Sequence, residues 1–398
     1  MNEEWDVAVA GAGPAGATSA LLLARRGLRV VLLDRRHFPR PKACAEYMSP
    51  GVQTVLGRLG LSHVLDGSRS IRGMDVVSPA GRTIRLTYAP GGEPACAVSL
   101  QRERFDARLV AEAAAAGVEV REGVTVREPI LEKSRVCGLR ASHSGRSLDV
   151  RARMTVIADG SRSVLAASLG LERPVHWPRR IGFVAYAEGA TFDDGFGRMC
   201  VSHGGYCGVA PLPDGLANVA VVVPHDRLTE SELSANRFLA AWIDAHPRLR
   251  RGLGDAHFTT PVRGVAQIGM RVARPWYPGA VLVGDAAGFF DPFTGEGIYR
   301  ALRGAELAAT AVAASLEAVE SVTPLKAYAQ ARDDAFRTKT GVTALVQLFV
   351  QRPALLDYAA PRLSGRKTAL QTLGNVLGDT EDPRAFLRPA MLWEALRP

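Results

Sequence analysis

A glycine-rich turn between an apolar strand and an apolar helix is the strongest constraint on how this chain folds. Residues 6–10 have the composition of a short buried strand, and residues 15–27 form a helix-favouring stretch that ends on glycine. Between the two stands the sequence Gly11-Ala12-Gly13-Pro14-Ala15-Gly16. In a strand–turn–helix unit, Gly11 permits the tight turn, Gly13 lets backbone approach a diphosphate, and Gly16 lets the helix pack closely on the strand.

A second apolar strand ends in an acidic residue at the spacing that a dinucleotide site requires. Asp34 follows Gly11 by 23 positions, where a carboxylate accepts hydrogen bonds from a ribose hydroxyl. The helix after Gly13 would present its free N–H groups and partial positive charge to the diphosphate. The alternative is a loop that binds nothing, but strand, glycines, helix, second strand and acid all agree. We expect this half of the site to consist of Gly11, Gly13, Pro14, Ala15, Gly16, Asp34 and Arg35.

A related signature lies far along the chain. Residues 279–285 again have the pattern of a buried strand, which ends in Gly284-Asp285, and the following segment contains Pro292, Gly295 and Gly297. The two signatures, in this order, predict that one FAD site is assembled from distant parts of the chain.

Composition limits the class of protein. With 398 residues, 47% of them hydrophobic, the chain can bury a large core and form two or more domain-sized units. The five cysteines are odd in number and include no Cys-x-x-Cys pair, so we expect a reducing compartment and no bound metal. The acidic start Met-Asn-Glu-Glu differs from a basic secretory signal, and we therefore expect a cytoplasmic location.

The formal charge of +9 does not indicate nucleic-acid binding. Only five of the 49 basic residues are lysine, and the arginines are scattered, without a helix-turn-helix or aromatic RNA-binding signature. We expect no nucleic-acid partner, although a basic surface could steer NADPH, an anionic substrate or an anionic membrane towards the protein.

The order of predicted strands and helices is interleaved, which favours an α/β fold with an insertion. We predict a Rossmann-like FAD-binding domain from residues 1–70, 97–180 and 272–330. An inserted antiparallel-sheet substrate domain comes from residues 71–96 and 181–271. A helical C-terminal tail covers residues 331–398, with its helices broken at Pro353, Pro361, Pro383 and Pro389.

A third motif, Asp159-Gly160, follows an apolar strand and alone would indicate only a turn. Between the other two signatures, and with Arg102 opening a central helix, it completes a specific set. The chain resembles the para-hydroxybenzoate-hydroxylase-like superfamily of FAD-dependent oxidoreductases, which includes aromatic hydroxylases, flavin halogenases and geranylgeranyl reductases. The resemblance covers about residues 6–302.

The resemblance implies roles for individual residues. Asp285, after Gly284, would contact the ribityl chain, and Arg102 would approach the diphosphate. Backbone near Val126 would contact the adenine, and Asp159 with Gly160 would complete the cofactor site. The residues that bring backbone and a helix amino terminus to the isoalloxazine would be Pro292, Gly295, Gly297 and Ile298.

Within the superfamily, residues 38–50 and 291–302 are most similar to the geranylgeranyl reductase branch. Lys42-Ala43-Cys44-Ala45 stands where that branch usually carries Lys-x-Cys-Gly. The resemblance places Cys44 beside the flavin, as a cofactor-binding residue and a candidate catalytic residue. A small buried apolar role is equally compatible with a free cysteine, and reactivity would require a lowered pKa.

Residues 205–215 depart from that branch, because small residues replace bulky ones and Leu212 replaces a lysine. This would widen the pocket and argues against a polyprenyl substrate. We take Tyr47, Tyr206 and Phe293 as candidate substrate contacts, although an aromatic such as Tyr206 is also typical of a core. His203 is a weaker catalytic candidate.

The expected chemistry comes from the flavin. There is no second GxGxxG unit, so NAD(P)H would bind transiently as electron donor, or a separate flavin reductase would supply electrons. The first hypothesis is a monooxygenase that hydroxylates an apolar aromatic or polyketide-like small molecule through a flavin hydroperoxide. The second is an NAD(P)H-dependent reductase of isoprenoid or other carbon–carbon double bonds. The third hypothesis is a flavin halogenase, and it is weaker because the chain contains no Trp-x-Trp-x-Ile-Pro stretch.

A hypothesis of another class is a membrane-docked flavoprotein. The apolar residues 342–350 could contact lipid, but their pattern favours a core helix. Peripheral membrane contact is therefore an open but less favoured expectation.

Overall fold

The computed structural model describes residues 4–175, 177, 179–190, 195–229, 234–318 and 321–396. The strands are β1 (Glu4–Ala10), β2 (Val30–Leu33), β3 (Tyr47–Met48), β4 (Arg69–Ile71), β5 (Gly73–Val77), β6 (Thr83–Thr87), β7 (Ala97–Ser99), β8 (Glu119–Arg121), β9 (Val124–Glu132), β10 (Arg135–His143), β11 (Arg146–Ile157), β12 (Glu172–Arg173), β13 (Arg180–Glu188), β14 (Phe196–Ser202), β15 (Gly205–Pro211), β16 (Leu216–Pro224), β17 (His257–Phe258), β18 (Arg263–Ile268), β19 (Arg271–Val272), β20 (Trp276–Tyr277) and β21 (Ala280–Leu282).

The helices alternate with these strands and then close the chain. They are α1 (Pro14–Ala24), α2 (Pro50–Arg58), α3 (Arg102–Ala115), α4 (Val164–Ser168), α5 (Asp226–Thr229), α6 (Ala235–Asp244), α7 (Pro247–Leu253), α8 (Gly297–Glu317), α9 (Thr323–Gln351), α10 (Pro353–Leu363), α11 (Lys367–Leu377) and α12 (Pro389–Leu396).

The first sheet has the strand order β20-β21-β11-β1-β2-β8, with β10 and β9 extending from β11. Strand β1 pairs in parallel with β2 and β11, and β11 pairs in parallel with β21. The carboxyl ends of β2, β1, β11 and β21 therefore meet at one edge of the sheet, which is where ligands bind in open α/β sheets. This sheet confirms the Rossmann-like α/β fold class.

The central strand is buried on both faces. Val7 and Val9 belong to a core that includes Leu21 of α1, Phe105 of α3 and Leu302 of α8. Ala8 and Ala10, on the opposite face, contribute to a second core with strands β10 and β11. A continuous apolar strand is thus required here, because helices cover one face and a β-layer the other.

The second sheet has the order β17-β13-β16-β15-β14-β5-β6, with β18 also paired to β13. Its pairs are antiparallel except β5 with β14, which is parallel. The predicted antiparallel insertion is therefore mixed, because β14 joins the sheet beside a strand that precedes it by more than a hundred residues. One face of this sheet packs on α6 through Phe183, Val209 and Phe238.

The opposite face is covered by α9, α10 and α11, and α12 contacts α10 and α11; we call these four helices the helical cap. Tyr206 and Val222 of the sheet pack there with Val350 of α9, Leu356 of α10 and Leu370 of α11. Pro361 was predicted to break a helix, and this prediction is wrong. Pro361 lies near the carboxyl end of α10, where it costs few backbone hydrogen bonds. Among the described residues, no helix combines the length and apolar character that crossing a bilayer would need.

Close packing at Gly16 yields a stability prediction. A Cβ on residue 16 would lie 1.8 Å from the carbonyl oxygen of Gly11, which itself has φ +97° beside Ala158. We expect Gly16→Ala to lower the free energy of unfolding by about 2–4 kcal/mol, since backbone on both sides cannot yield. Urea denaturation followed by circular dichroism measures this change.

A matched control is Gly341→Ala in α9, where an added Cβ meets no heavy atom of the described residues within 4 Å. This variant should be neutral or stabilised by up to about 1 kcal/mol, because alanine is the better helix former. Equal unfolding free energies for the two variants would contradict the assigned packing.

Candidate active site

A cavity of about 1520 Å³ extends from the edge where the parallel strands end to the helical cap. Small-molecule pockets are usually about 300–1,000 Å³, so this volume can hold a coenzyme together with a second molecule. Of the site residues predicted from the sequence, the cavity is lined by Gly11, Gly13, Pro14, Ala15, Asp34, Arg35, Cys44, Tyr47, Arg102, Val126, Asp159, Gly160, Tyr206, Gly284, Asp285, Pro292, Phe293, Gly295, Gly297 and Ile298.

Gly16 is the predicted residue that lies outside the cavity lining. It contacts the backbone of Gly11 and so shapes the turn from behind. This position agrees with the packing role that the motif assigns to its last glycine.

The carboxylate of Asp34 connects the end of β2 to the turn that follows β1. Its Oδ2 accepts a hydrogen bond from the N–H of Ala12 at 2.8 Å, and its Oδ1 accepts one from the N–H of Arg36 at 2.9 Å. The side chain of Arg40 also approaches Asp34, at 3.8 Å. Asp34 therefore fixes the glycine turn relative to β2, in addition to its predicted contact with a ribose.

Two arginines converge on one buried acid near the amino end of α3. Arg102 donates to Asp106 through Nε at 2.7 Å and Nη2 at 2.9 Å, and Arg40 approaches the same carboxylate at 3.4 Å. Asp106 holds both guanidinium groups beside the cavity, and planar guanidinium groups suit phosphate recognition. Arg40 was not predicted as a site residue, because only the fold brings residues 40 and 102 together.

Acidic groups at the other strand ends are held in poorly solvated positions. Burial raises the pKa of Asp159, and its Oδ1 has no hydrogen-bond partner among the described residues. Burial also raises the pKa of Asp285, although Lys42 and Arg102 act in the opposite direction. A ligand with hydroxyl groups would supply the donors that such oxygens require.

These features fit a dinucleotide with a diphosphate and polyol groups. The amino ends of α1 and α8 both open into the cavity and lack a side-chain cap. Their N–H groups and positive dipole ends suit anionic or electron-rich groups. Carboxylates at the strand ends and two arginines complete a donor and acceptor set that FAD would use.

Cys44 and Lys42 lie on the cavity wall beside Arg102. Burial raises the pKa of the Cys44 thiol, with Arg102 acting in the opposite direction. Burial and Arg102 lower the pKa of Lys42. At neutral pH Cys44 is therefore a thiol, which can donate a proton but is a poor nucleophile. Its catalytic role stays a prediction.

Glu46 is a buried acid that was not predicted from the sequence. Its backbone has φ +60°, which is uncommon outside glycine. One carboxylate oxygen accepts the hydroxyl of Tyr186 at 2.8 Å, and the other accepts the N–H of Arg102. Burial raises the pKa of Glu46 to about 7. No local pattern marks this residue, because its partners come from β13 and α3.

A second buried carboxylate, Asp291, joins the loop before α8 to the rest of the cavity. Its Oδ1 accepts hydrogen bonds from the hydroxyl of Tyr206 at 2.8 Å and from the side-chain amide of Gln347 at 2.7 Å. Its Oδ2 accepts one from Arg180 at 3.2 Å. The loop predicted to face the isoalloxazine is thus fixed to β13, to β15 and to the helical cap.

The three aromatic substrate candidates lie on this part of the wall. Tyr206 packs edge-on against Phe293, with ring centroids 5.0 Å apart. The Tyr47 hydroxyl shares a 2.7 Å hydrogen bond with that of Tyr88, and its ring packs on Gly295. Both tyrosine hydroxyls already have a protein partner, and the rings contribute apolar surface to the wall.

His203 takes no part in the cavity lining. It lies in the exposed turn between β14 and β15. The catalytic alternative for His203 is therefore not supported by its position.

The part of the cavity away from the strand ends is apolar. Its floor is the face of the second sheet that includes the small residues Gly182, Gly208, Ala210 and Ala220. Its roof is the helical cap, which contributes Val342, Leu345, Val346, Phe349, Val350, Leu355, Leu356, Leu363, Leu373 and Leu377. Such a space favours an extended hydrophobic molecule.

A buried cation fixes the cap to the loop that precedes α8. The ammonium group of Lys339 contacts Asp379, donates to the carbonyl of Leu377 at 3.1 Å and lies 3.8 Å from Glu296. Asp379 also accepts a 2.7 Å hydrogen bond from Ser49 at the start of α2. The roof of the apolar space and the predicted flavin loop therefore form one connected structure.

Comparison with known proteins identifies related chains. The profile of the family described as FAD binding domain matches residues 4–340. A digeranylgeranylglycerophospholipid reductase of Thermoplasma volcanium is 30% identical over 326 residues, which cover 80% of this chain and 80% of that protein.

Solved structures of flavin enzymes share the whole fold. The myxobacterial chondrochloren halogenase CndH, a variant of FAD-dependent halogenases, is 26% identical with a TM-score of 0.80, covering 87% of this chain and 83% of that chain. The flavin-dependent brominase Bmp2 superposes with a TM-score of 0.84 at 20% identity, covering 98% of this chain and 99% of that chain. The second likeness shows the fold alone.

The position of Asp285 predicts a loss of cofactor affinity on mutation. Asp285→Ala should weaken FAD binding about 10- to 100-fold while the protein stays folded, because a carboxylate acceptor is removed from the cavity wall. The ratio of flavin absorbance to protein after gel filtration, followed by titration with FAD, measures the change. Asp244→Ala, at an exposed acid on α6, is the control. Full flavin occupancy in Asp285→Ala would overturn the assignment.

The raised pKa of Glu46 predicts a pH dependence of stability. Its folded pKa of about 7 exceeds the ordinary value of 4.5, so the native state keeps a proton that the unfolded chain has lost. The contribution of Glu46 to the free energy of unfolding should therefore fall as the pH rises from 4.5 to 7. Glu46→Gln, which retains a neutral side chain, should gain about 1–3 kcal/mol relative to wild type between pH 4.5 and pH 8.

Urea denaturation at the two pH values measures this difference. Glu103→Gln, at an exposed position in the first turn of α3, serves as the matched variant and should show no comparable gain. A difference between Glu46→Gln and wild type that stays constant with pH would show that Glu46 is not held protonated.

Proposed function

This chain belongs to the FAD binding domain family and is an FAD-dependent oxidoreductase. We propose that it reduces a carbon–carbon double bond in an extended apolar substrate, with NAD(P)H as the source of electrons. The observation that carries the proposal is the apolar space between the second sheet and the helical cap, which is continuous with the cofactor cleft.

The relatives support this choice of substrate. The relative from Thermoplasma volcanium is a digeranylgeranylglycerophospholipid reductase, and the alignment covers most of both chains. Such a lipid is long and apolar, as is the space under the cap. The departures at residues 205–215, which on the sequence alone argue against a polyprenyl substrate, place the small residues Gly208 and Ala210 on the floor, and an apolar lipid is compatible with that floor.

The flavin, when bound, accepts a hydride and passes it to an acceptor. The residues of the chain would then orient the substrate and supply the proton that the reduction requires. The small side chains of Gly208, Ala210 and Ala220 leave room for a flat alkene against the cofactor cleft. Reduction of an alkene needs one proton besides the hydride, and Cys44 is a wall residue whose raised pKa keeps a proton available at neutral pH.

Exclusion of water is the remaining contribution of the fold. The Asp291 hydrogen bonds hold the loop before α8 closed against β15 and α9. Leu, Val and Phe side chains of the cap line the opposite wall. A hydride transfer to an alkene is favoured in such an apolar site, because a bound substrate displaces the water that would compete for the reactive groups.

Placing the reductase first reverses the order of the two hypotheses that the sequence alone favoured. The sequence placed hydroxylation of an aromatic or polyketide-like molecule first, on the small residues of the floor. The monooxygenase stays a second candidate on that argument, whereas the similarity to CndH, which extends over 87% of this chain at 26% identity, supports the third hypothesis, a flavin halogenase. CndH is described as an FAD-dependent halogenase, so the relatives include enzymes of more than one chemistry.

Anaerobic turnover distinguishes the two candidates. The FAD-loaded protein is mixed without oxygen with NADPH, deuterated at the transferred hydride, and detergent-dispersed geranylgeraniol. We expect a product in which a former double bond has become a single bond, with one deuterium on one carbon and one solvent hydrogen on the other, detected by mass spectrometry. A parallel reaction omits the flavoprotein and corrects for chemical reduction.

A second reaction under isotopically labelled dioxygen tests the alternative. Its substrate probe is 2-naphthol, a flat apolar aromatic. Label in the product would support the monooxygenase, whereas double-bond reduction that continues without oxygen supports the reductase. Rapid flavin reduction by NADPH without saturation of geranylgeraniol would count against the proposed substrate class.

A further inference from the structure

Two exposed residues of the cap line the apolar space, which indicates an opening to solvent beside α9 and α10. Leu345 of α9 and Tyr358 of α10 both line the cavity, yet they are 37% and 59% exposed. Phe349 and Leu355 line the same stretch and are partly buried. Large apolar side chains therefore border the opening, which is unusual for a surface exposed to water.

Further exposed aromatic residues lie on the same part of the molecule. Trp177 is 48% exposed, and its indole N–H donates to Gln351 at the end of α9 at 2.7 Å. Trp393 of α12 is 68% exposed, and the preceding Leu392 lines the cavity. Tryptophan and tyrosine are the residues that prefer the boundary between lipid and water.

The stretch of chain that carries Tyr358 is basic. Along α10 and the turn after it, the basic residues are Arg352, Arg362, Arg366 and Lys367. Asp357 is the acid in that stretch, and its carboxylate accepts the N–H of Ala80 at 2.7 Å. The guanidinium carbon of Arg362 lies 3.6 Å from the ring centroid of Tyr358, so cation and aromatic ring share the mouth. This combination complements an anionic interface.

We propose that the cap surface formed by Leu345, Tyr358, Arg362 and Trp393 docks on an anionic lipid bilayer, so that an apolar substrate enters the cavity directly from the lipid. The inference deepens the proposed function and rests on it for the class of substrate. Entry from lipid avoids transfer of a long apolar molecule through water, which costs free energy in proportion to its apolar area.

A second copy of this chain is the less suitable occupant. A symmetric dimer through this face would place the same basic residues of both copies opposite each other. It would also cover the opening through which a substrate must pass. A bilayer avoids both disadvantages, because its anionic lipids attract the basic residues and the apolar substrate comes from the bilayer itself.

Vesicle co-sedimentation of the FAD-loaded protein tests the proposal. The vesicles are phosphatidylcholine alone or phosphatidylcholine mixed with phosphatidylglycerol. We expect binding to the anionic vesicles that weakens in high salt. The double variant Leu345→Glu, Tyr358→Glu should bind at least about tenfold more weakly, because two apolar contacts are replaced by like charges of the membrane. The matched control is Leu131→Glu, at a 48% exposed leucine on β9 outside the cap, and it should bind as wild type does.

Three results would overturn the proposal. The first is no sedimentation of wild-type protein with either vesicle, and the second is equal loss of binding in Leu131→Glu. The third is a doubled mass in light scattering that the cap variant abolishes, which would assign the surface to a second copy. Vesicle binding is measured without turnover, so a failed reductase assay leaves it unaffected. Conversely, if the protein reduces detergent-dispersed geranylgeraniol but does not bind vesicles, only the docking proposal is overturned.

Discussion

Parallel pairing of β2, β1, β11 and β21 is the constraint on which the whole site depends. Because these strands run in the same direction, the residues that follow them emerge at one edge, although they are far apart in the chain. The glycine turn, Asp34, the Asp159 turn and the Gly284-Asp285 turn occupy those positions. Burial of β1 on both faces fixes this alignment, since a slipped register would place its neighbours' turns at different heights.

Buried charges then connect this edge to the parts of the molecule that hold a substrate. Asp291 joins the loop before α8 to both the second sheet and α9, and Lys339 joins the cap to Asp379 and Glu296. Buried ion pairs contribute little net stability, because desolvation offsets their attraction. Loss of one partner is costly, however, so such pairs hold the elements in one relative arrangement. The roof over the apolar space is thereby kept in register with the cofactor cleft.

The sequence predicted the parts of the site that depend on local pattern. The glycine turn, the acids after buried strands and α8 after Gly297 each have a motif that determines their own backbone, and the Rossmann-like fold follows from their order. Arg40 and Glu46 were missed because their partners, Asp106 and Tyr186, come from distant elements. The cap was predicted as helices, but not as the roof of a cavity, since an apolar helix face does not specify which sheet it covers. The break predicted at Pro361 was wrong, because a proline near the carboxyl end of a helix removes few backbone hydrogen bonds.

The position of β1 between strands that arrive much later has a consequence for synthesis on the ribosome. The first glycine turn emerges early, but β11 and β21, which complete its edge, follow only after residues 146 and 280. Until then the nascent chain exposes an unpaired, apolar strand edge that other chains could join. Pairing over such separations is also slow, because distant segments must first find each other. Production of this protein should therefore depend on chaperones that shield the amino-terminal half during translation.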